Sequence, residues 1–339
     1  MTTEETKFQP KDYKSDQYVR WCPGCGDHAV LNCLHKAMAE VGVAPHNMAV
    51  ISGIGCSSRL PYYMNTYAMQ TIHGRAAAIS TGCKVTNPNL SVWQVSGDGD
   101  GLAIGGNHFI HAIRRNIDIN ILLLNNRIYG LTKGQYSPTS PRGFVSKSSP
   151  YGTVEDPFHP AELCFGARGR FFARCVATDG PGTGEVLKAA ANHKGAAVCE
   201  ILQHCVIFND GTYDSVYNKD GRAKNAIYLE HGKPMLFGEN KEFGLMQEGF
   251  GLKVVKLGEN GITEKDILVH DAHCMDNTLQ LKLALMEGPD FPVALGVIRD
   301  VEAPTYDDAV MEQIEEVSAK KKYHNFKELL MTNDIWEVK

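Results

Sequence analysis

The chain has 339 residues, 43% of them hydrophobic, and a formal net charge of −5. That length accommodates one large domain or two modest ones, and a mildly acidic balance without a long basic block argues against a nucleic-acid partner. The polar start MTTEETKFQPKDYKSDQY lacks the apolar core of a signal peptide and no run approaches the roughly 18 apolar residues that span a bilayer, so a cytoplasmic protein with no membrane attachment is expected.

The first feature is RWCPGCGDH (20–28), which carries Cys22 and Cys25. Apolar residues at helical spacing follow from His28 to Val41. NMAVISG (47–53) is a buried-strand candidate that ends in the loop Gly53-Ile54-Gly55-Cys56-Ser57-Ser58. His73 and Gly74 precede a small-residue helix candidate, Arg75 to Lys84. A strand candidate LSVWQVS (90–96) runs into GDGDG, then a helix candidate from Leu102 to Arg115. The next strand candidate, IDINILLL (117–124), ends in Asn125-Asn126. The Pro/Ser/Gly-rich stretch 134–160 is long enough to read as a functional loop or lid. RFFARCVAT, EVLKAAANHK and AAVCEILQ continue the alternation. From about Asn225 the pattern changes, with strand candidates at 252–257 and 292–298 and an amphipathic helix candidate from Asp308 to Lys321. The expected fold is α/β: a mostly parallel sheet with helices on both faces over 1–225, and a C-terminal extension, 226–339, packed on it.

In a right-handed βαβ unit both strands point the same way, so Asp98 and Asn126 come to the carboxyl edge of the sheet, where open α/β folds bind ligands. Oxygen donors there suit Mg²⁺. A nicotinamide dinucleotide site is a rival, because Gly99, Gly101 and Gly105 make a loose glycine fingerprint. That site needs an acidic residue after the second strand, where this chain has two asparagines. Taken alone, GDG is also consistent with a tight turn in which an aspartate caps a helix.

The two N-terminal cysteines fit several chemistries. A thioredoxin-like dithiol has its Gly and Pro in the other order and a preceding strand. A zinc site needs a second knuckle, and the chain has no other CxxC; from spacing alone zinc stays open.

With GDG followed by NN, the set WCPGCG (21–26), GIGCSS (53–58), HGRA (73–76), GDGD (97–100), RRN (114–116) and YGLTKGQYSPT (129–139) resembles the β subunit of the 2-oxoacid:ferredoxin oxidoreductases, over about residues 18–235. The resemblance implies a thiamine diphosphate (ThDP)-binding fold, Mg²⁺, one [4Fe–4S] cluster and coenzyme A as co-substrate. It implies Asp98, the Asn126 side chain and the Ile128 carbonyl on Mg²⁺. It places His73, Gly99 and Asp100 at the diphosphate, Ile54, Gly55 and Ser57 along the pyrimidine and thiazole, Leu131 and Thr132 beside the cofactor, and Cys56, Gly74, Gly97, Gly101, Tyr129 and Gly130 among its other contacts. Of the ten cysteines, Cys56 and Cys205 follow strands and share the carboxyl edge with Asp98. Cys33, Cys83, Cys164, Cys175 and Cys199 fall within predicted helices or strands, as core residues do, and Cys274 is undecided. The family's cluster then implies Cys22, Cys25, Cys56 and Cys205 as ligands.

The implied reaction is the CoA-dependent oxidative decarboxylation of a 2-oxoacid, or its reversal, with ferredoxin as the electron carrier. The glutamate that activates ThDP in the family belongs to the α subunit, so an αβ or (αβ)₂ assembly is expected. Arg59, after the Cys56 loop, is the candidate for pairing with a distal carboxylate, which makes 2-oxoglutarate the expected substrate. A structural ion pair or a coenzyme A contact is the other use of this residue.

Overall fold

The structure is a computed structural model and describes residues 7–320, 322–332, 334–336 and 338. The apolar runs form strands β1 (Met48–Ser52), β2 (Tyr67–Gln70), β3 (Ser91–Gly97), β4 (Asn120–Asn125), β5 (Phe171–Val176) and β6 (Ala197–Leu202). β7 (Ala226–Leu229), β8 (Leu236–Phe237), β9 (Phe243–Glu248), β10 (Gly251–Lys256) and β11 (Val293–Asp300) follow. The main sheet has the order β2-β1-β3-β4-β6-β5-β11-β7. Its first six strands are parallel.

Every residue of β1, β4, β5 and β6 is buried, as expected of a parallel sheet covered on both faces. Side chains alternate between two cores: Ile121 and Leu123 of β4 join Phe109 and Phe172, while Leu122 and Leu124 join Trp93 and Phe171. Helices α1 (Asp27–Val41) and α6 (Gly180–Asn192) close the second core. Helices α2 (Ala76–Thr86), α4 (Gly106–Arg114) and α5 (Pro160–Gly166) close the first; the short α3 (Asp98–Leu102) follows β3 directly.

The sheet departs from the expected layout in its second half. β11 pairs antiparallel with β5, and β7 pairs parallel with β11, so the main sheet continues across the division expected at 225/226. These strands cover the edge that β5 would otherwise leave open. Among the described residues, β8, β9 and β10 form a separate antiparallel sheet. The expected helix from Leu102 to Arg115 is interrupted: Ala103 leaves the helical region (φ −81°, ψ −104°) and α4 starts at Gly106. The helix expected over Asp308–Lys321 runs Tyr306–Ala319, and Lys321 lies outside the described residues; a short helix, Phe326–Leu330, follows. Among the described residues no helix is long and apolar enough to cross a membrane.

Register fixes the site. Ser52 is opposite Val95, Gly97 opposite Leu124, and Asn125 opposite Leu202, so β1, β3, β4 and β6 end side by side on one edge.

Candidate functional site

The loops leaving β1, β3 and β4 form a cleft of about 430 Å³. Ile54, Gly55, Cys56 and Ser57 come from β1, and Gly97, Asp98, Gly99 and Asp100 from β3. Asn126, Ile128, Tyr129, Gly130, Leu131 and Thr132 come from β4, with His73 closing the side. Gly74 and Gly101 stand behind this lining. The Gly74 N–H donates to Asp100 Oδ1 at 2.7 Å, and Gly101 packs against Leu123 and Ser96.

Asp98 is 1% exposed, and burial raises its pKa. Two hydroxyls oppose that shift: Ser137 and Thr139 donate to Oδ2 at 2.5 and 2.6 Å. Thr139 also bonds Asn125 Oδ1 at 3.0 Å. The stretch expected as a loop or lid therefore begins as a buried wall behind Asp98. Asn125 and Asn126 have different tasks. Asn125 is buried, donating to Glu200 at 2.8 Å and accepting from the Arg127 N–H at 3.2 Å. Asn126 reaches the cleft, where its Oδ1 accepts from the Ile128 N–H at 3.2 Å.

Asp100 ties the loops together. Its Oδ1 accepts from the Ile54 N–H at 3.0 Å and lies 2.9 Å from His73 Nδ1, while its buried Oδ2 has no partner among the described residues. The Tyr129 hydroxyl donates to the Gly99 carbonyl at 2.9 Å, and burial, Asp98 and Asp100 push its pKa up to about 12. Gly99 has no room for more: a Cβ there would lie 2.3 Å from the Tyr129 ring.

Four of the ten cysteines face this edge. Trp21 anchors the N-terminal pair by donating from Nε1 to the Cys56 carbonyl at 2.7 Å. A Cβ on Gly130 would lie 3.3 Å from Cys205 Sγ and 3.6 Å from Cys56 Sγ. Burial pushes the Cys56 thiol up to about 11, with Asp27, Cys205 and Cys22 adding to the rise and Arg59 opposing it. Cys25 is raised by burial, then by Asp27, with Cys56 contributing. Such thiols ionise when a cation arrives to hold them. Asn209 connects the two halves of the site: its N–H bonds the Cys205 carbonyl at 2.9 Å and its side-chain amide donates to the Asn126 carbonyl at 3.0 Å.

Cys33, Cys164, Cys175 and Cys199 are buried in the cores, and Cys83 packs against one of them. Cys274 is exposed, away from this edge, and its carbonyl accepts from Arg299 at 2.8 Å. Among the described residues no three His, Cys, Asp or Glu side chains converge on one metal position. Arg59 is half-buried beyond Cys56, does not line the cleft, and makes no ion pair among the described residues. Ser137, Thr139 and Asn209 were not singled out from the sequence. The only signal for the first two was the YGLTKGQYSPT motif that contains Ser137 and Thr139.

The family model "Thiamine pyrophosphate enzyme, C-terminal TPP binding domain" matches residues 46–201. The chain is 48% identical to the 2-oxoglutarate oxidoreductase subunit KorB of Mycobacterium tuberculosis, over 99% of this chain and 90% of that protein. It is 38% identical to subunit beta of 2-oxoacid:ferredoxin oxidoreductase 2 of Aeropyrum pernix, over 73% of this chain and 79% of that one. A solved 2-oxoglutarate:ferredoxin oxidoreductase from Magnetococcus marinus, with 2-oxoglutarate, coenzyme A and succinyl-CoA bound, superimposes with a TM-score of 0.77 at 32% identity, covering 97% of both chains.

Proposed function

The chain belongs to the β subunits of the 2-oxoacid:ferredoxin oxidoreductases, and from that premise we propose that, with an α subunit, it converts 2-oxoglutarate and coenzyme A to succinyl-CoA and CO₂, or runs the reverse reaction. The choice of substrate rests on the Mycobacterium relative's name and on the ligands of the Magnetococcus structure. The observation that carries the site is the place of Gly130: it lines the cleft and also lies against the Cys56 and Cys205 sulfurs. Carbon chemistry and electron acceptor then share a wall.

The donors fit both groups. Asp98 and the Asn126 amide present hard oxygen to Mg²⁺, with the Ile128 carbonyl as the third protein ligand. Only one of these is a carboxylate, so this site calls for no converging acidic trio. Gly97, Gly99, Asp100 and His73 take the diphosphate end, with Gly74 and Gly101 behind them. Ile54, Gly55, Ser57, Tyr129, Leu131 and Thr132 take the ring end. The Cys56 and Cys205 sulfurs lie beside the space that the missing Gly130 side chain leaves, and Cys22 and Cys25 would complete the four cluster ligands. ThDP held there would supply carbanion stabilisation, and a [4Fe–4S] cluster would accept electrons singly. The Ser137 and Thr139 hydroxyls would hold Asp98 toward the metal. Among the described residues no glutamate lines the cleft, in keeping with an α subunit as the source of the activating carboxyl. Arg59 recognises the distal carboxylate of 2-oxoglutarate at that shared boundary, and ferredoxin removes the electrons.

The test is an anaerobic assay of the chain co-expressed with its α subunit, using 2-oxoglutarate or pyruvate, CoA and a viologen dye. CoA-dependent dye reduction favouring 2-oxoglutarate is expected. Arg59→Ala should lose 2-oxoglutarate turnover more than pyruvate turnover; an equal loss for both removes the carboxylate role. Sizing of the complex separates αβ from (αβ)₂.

A further inference from the structure

A second cavity, of about 370 Å³, adjoins the hydroxyl wall and shares no lining residue with the cleft. Thr139 stands between the two: it lines this cavity and donates to Asp98 Oδ2 at 2.6 Å. The loop after β4 is divided in the same way. Asn126 and Ile128 line the cleft, while Arg127 lines the second cavity. Arg127 has a φ of +55°, a conformation that residues with side chains rarely adopt and that persists where the surroundings impose it.

The polar groups of this cavity are donors short of acceptors. Glu200 is fully engaged, accepting from Asn125 at 2.8 Å and from Arg174 Nε at 2.7 Å. Arg174 is 8% exposed, and its two terminal nitrogens have no hydrogen-bond partner among the described residues. The buried Tyr213 hydroxyl is also unpartnered among them. The Arg127 guanidinium stacks over the Tyr213 ring, 4.8 Å from its centroid. Arg127 Nη2 and His159 Nδ1 each lie 3.7 Å from the same atom, Oε1 of Glu287, which is beyond hydrogen-bond range. The Glu287 side chain is half exposed, and a solvated carboxylate held so loosely adds little to the fold. Pro157, Phe158, Leu202 and Met286 make much of the remaining wall apolar.

A carboxylate on a short carbon chain answers both halves of the cavity: guanidinium forks match its two oxygens, and the apolar wall takes its methylenes. We infer that this cavity is a second binding site, for a small organic carboxylate that pairs with Arg127 in place of Glu287. The inference does not depend on the cofactor assignment. It gives opposite signs to two neighbouring residues, since Arg127 is the ligand's partner and Glu287 its competitor.

The experiment is isothermal titration calorimetry of succinate, and separately of inorganic phosphate, into the αβ complex. The samples are the native chain, Arg127→Gln, Glu287→Gln and Arg59→Ala, each with its ligand-free melting temperature measured. Succinate should bind the native complex, about tenfold or more weakly in Arg127→Gln, and about threefold more tightly in Glu287→Gln. Phosphate has no methylenes to bury and should bind about tenfold more weakly than succinate. Absence of succinate binding to the native complex overturns the proposal, and phosphate bound as tightly as succinate overturns the carboxylate assignment. Succinate held in the cleft would be lost in Arg59→Ala and unmoved in the other two variants, which also overturns it. If Arg127→Gln does not fold, Glu287→Gln still decides: unchanged or weakened binding there would make Glu287 a structural residue and not a competitor.

Discussion

Asp98 leaves the carboxyl end of β3, Asp118 precedes the amino end of the neighbouring β4, and the sheet treats them in opposite ways. Asp118 meets Lys84 at 2.7 Å, Lys194 at 3.3 Å and the Gly195 N–H at 3.0 Å. Burial pushes its pKa up, but the Lys84 hydrogen bond and charge, Gly195 and Lys194 more than reverse that, and the net shift is downward. Asp98 has hydroxyls and N–H groups but no cation beside it, and its net shift is upward. The amino edge is finished by the chain itself, with the Asp118 N–H also donating to Asp307 at 3.0 Å. The carboxyl edge is left short of positive charge. Under the proposed function a Mg²⁺ ion and an iron–sulfur core would supply what is missing at this edge, where open α/β sheets bind ligands.

The comparison breaks most clearly at Asp98 itself. Asp98→Asn should weaken Mg²⁺-dependent ThDP binding about 100-fold or more, since loss of an outer-shell partner alone costs 10–100-fold. The melting temperature of the cofactor-free complex should hold or rise, because a buried charge without a cation is removed. A drop of several degrees would make Asp98 a structural residue like Asp118. One step further from the metal, Thr139→Val keeps the shape and removes the hydroxyl on Asp98. Calorimetry should show ThDP binding weakened about 10–100-fold. Unchanged affinity would mean that Ser137 suffices.

That wall of hydroxyls also shows where the sequence is opaque. Buried apolar runs announced β1, β3, β4, β5 and β6, because a strand covered on both faces is apolar throughout. Asp98, Asn126, Cys56 and Cys205 could be placed at the carboxyl edge from the sequence because each follows such a strand, and Cys22 and Cys25 stood out by their spacing. Ser137 and Thr139 were not assigned there: polar residues among prolines read as surface loop, and only packing shows them 2% and 3% exposed. β2 was missed because its Tyr67, Ala68 and Met69 lie exposed on a short edge strand. The entry of β7 and β11 into the main sheet is a long-range pairing that no local pattern encodes.

At the other edge, Asp118→Asn leaves Lys84, itself 4% exposed, without its counter-charge. Stability should fall by about 3 kcal/mol, at the low end for breaking a buried pair because Asp118 keeps some contact with solvent. ThDP affinity should not move, since Asp118 does not line the cleft. A change in cofactor binding larger than the change in melting temperature would show that the two edges are coupled through β4.

The smallest effect is the pH dependence of that loss, and its sign follows from the direction of the Asp118 shift. A carboxyl held below its ordinary value of about 3.9 binds fewer protons in the folded state than in the unfolded one. Its contribution is complete above that ordinary value and disappears as pH falls through the lower, folded value. The gap in melting temperature between the native chain and Asp118→Asn should therefore be flat from about pH 8 to 5 and close below about pH 4. It should close in the same way with and without Mg²⁺ and ThDP, at fixed protein concentration. A gap that opens as pH falls would mean that Lys84 and Lys194 do not hold Asp118 ionised. A gap that depends on the cofactor would mean that charge at the amino edge is felt at the cleft, and the division of labour between the two edges would be wrong.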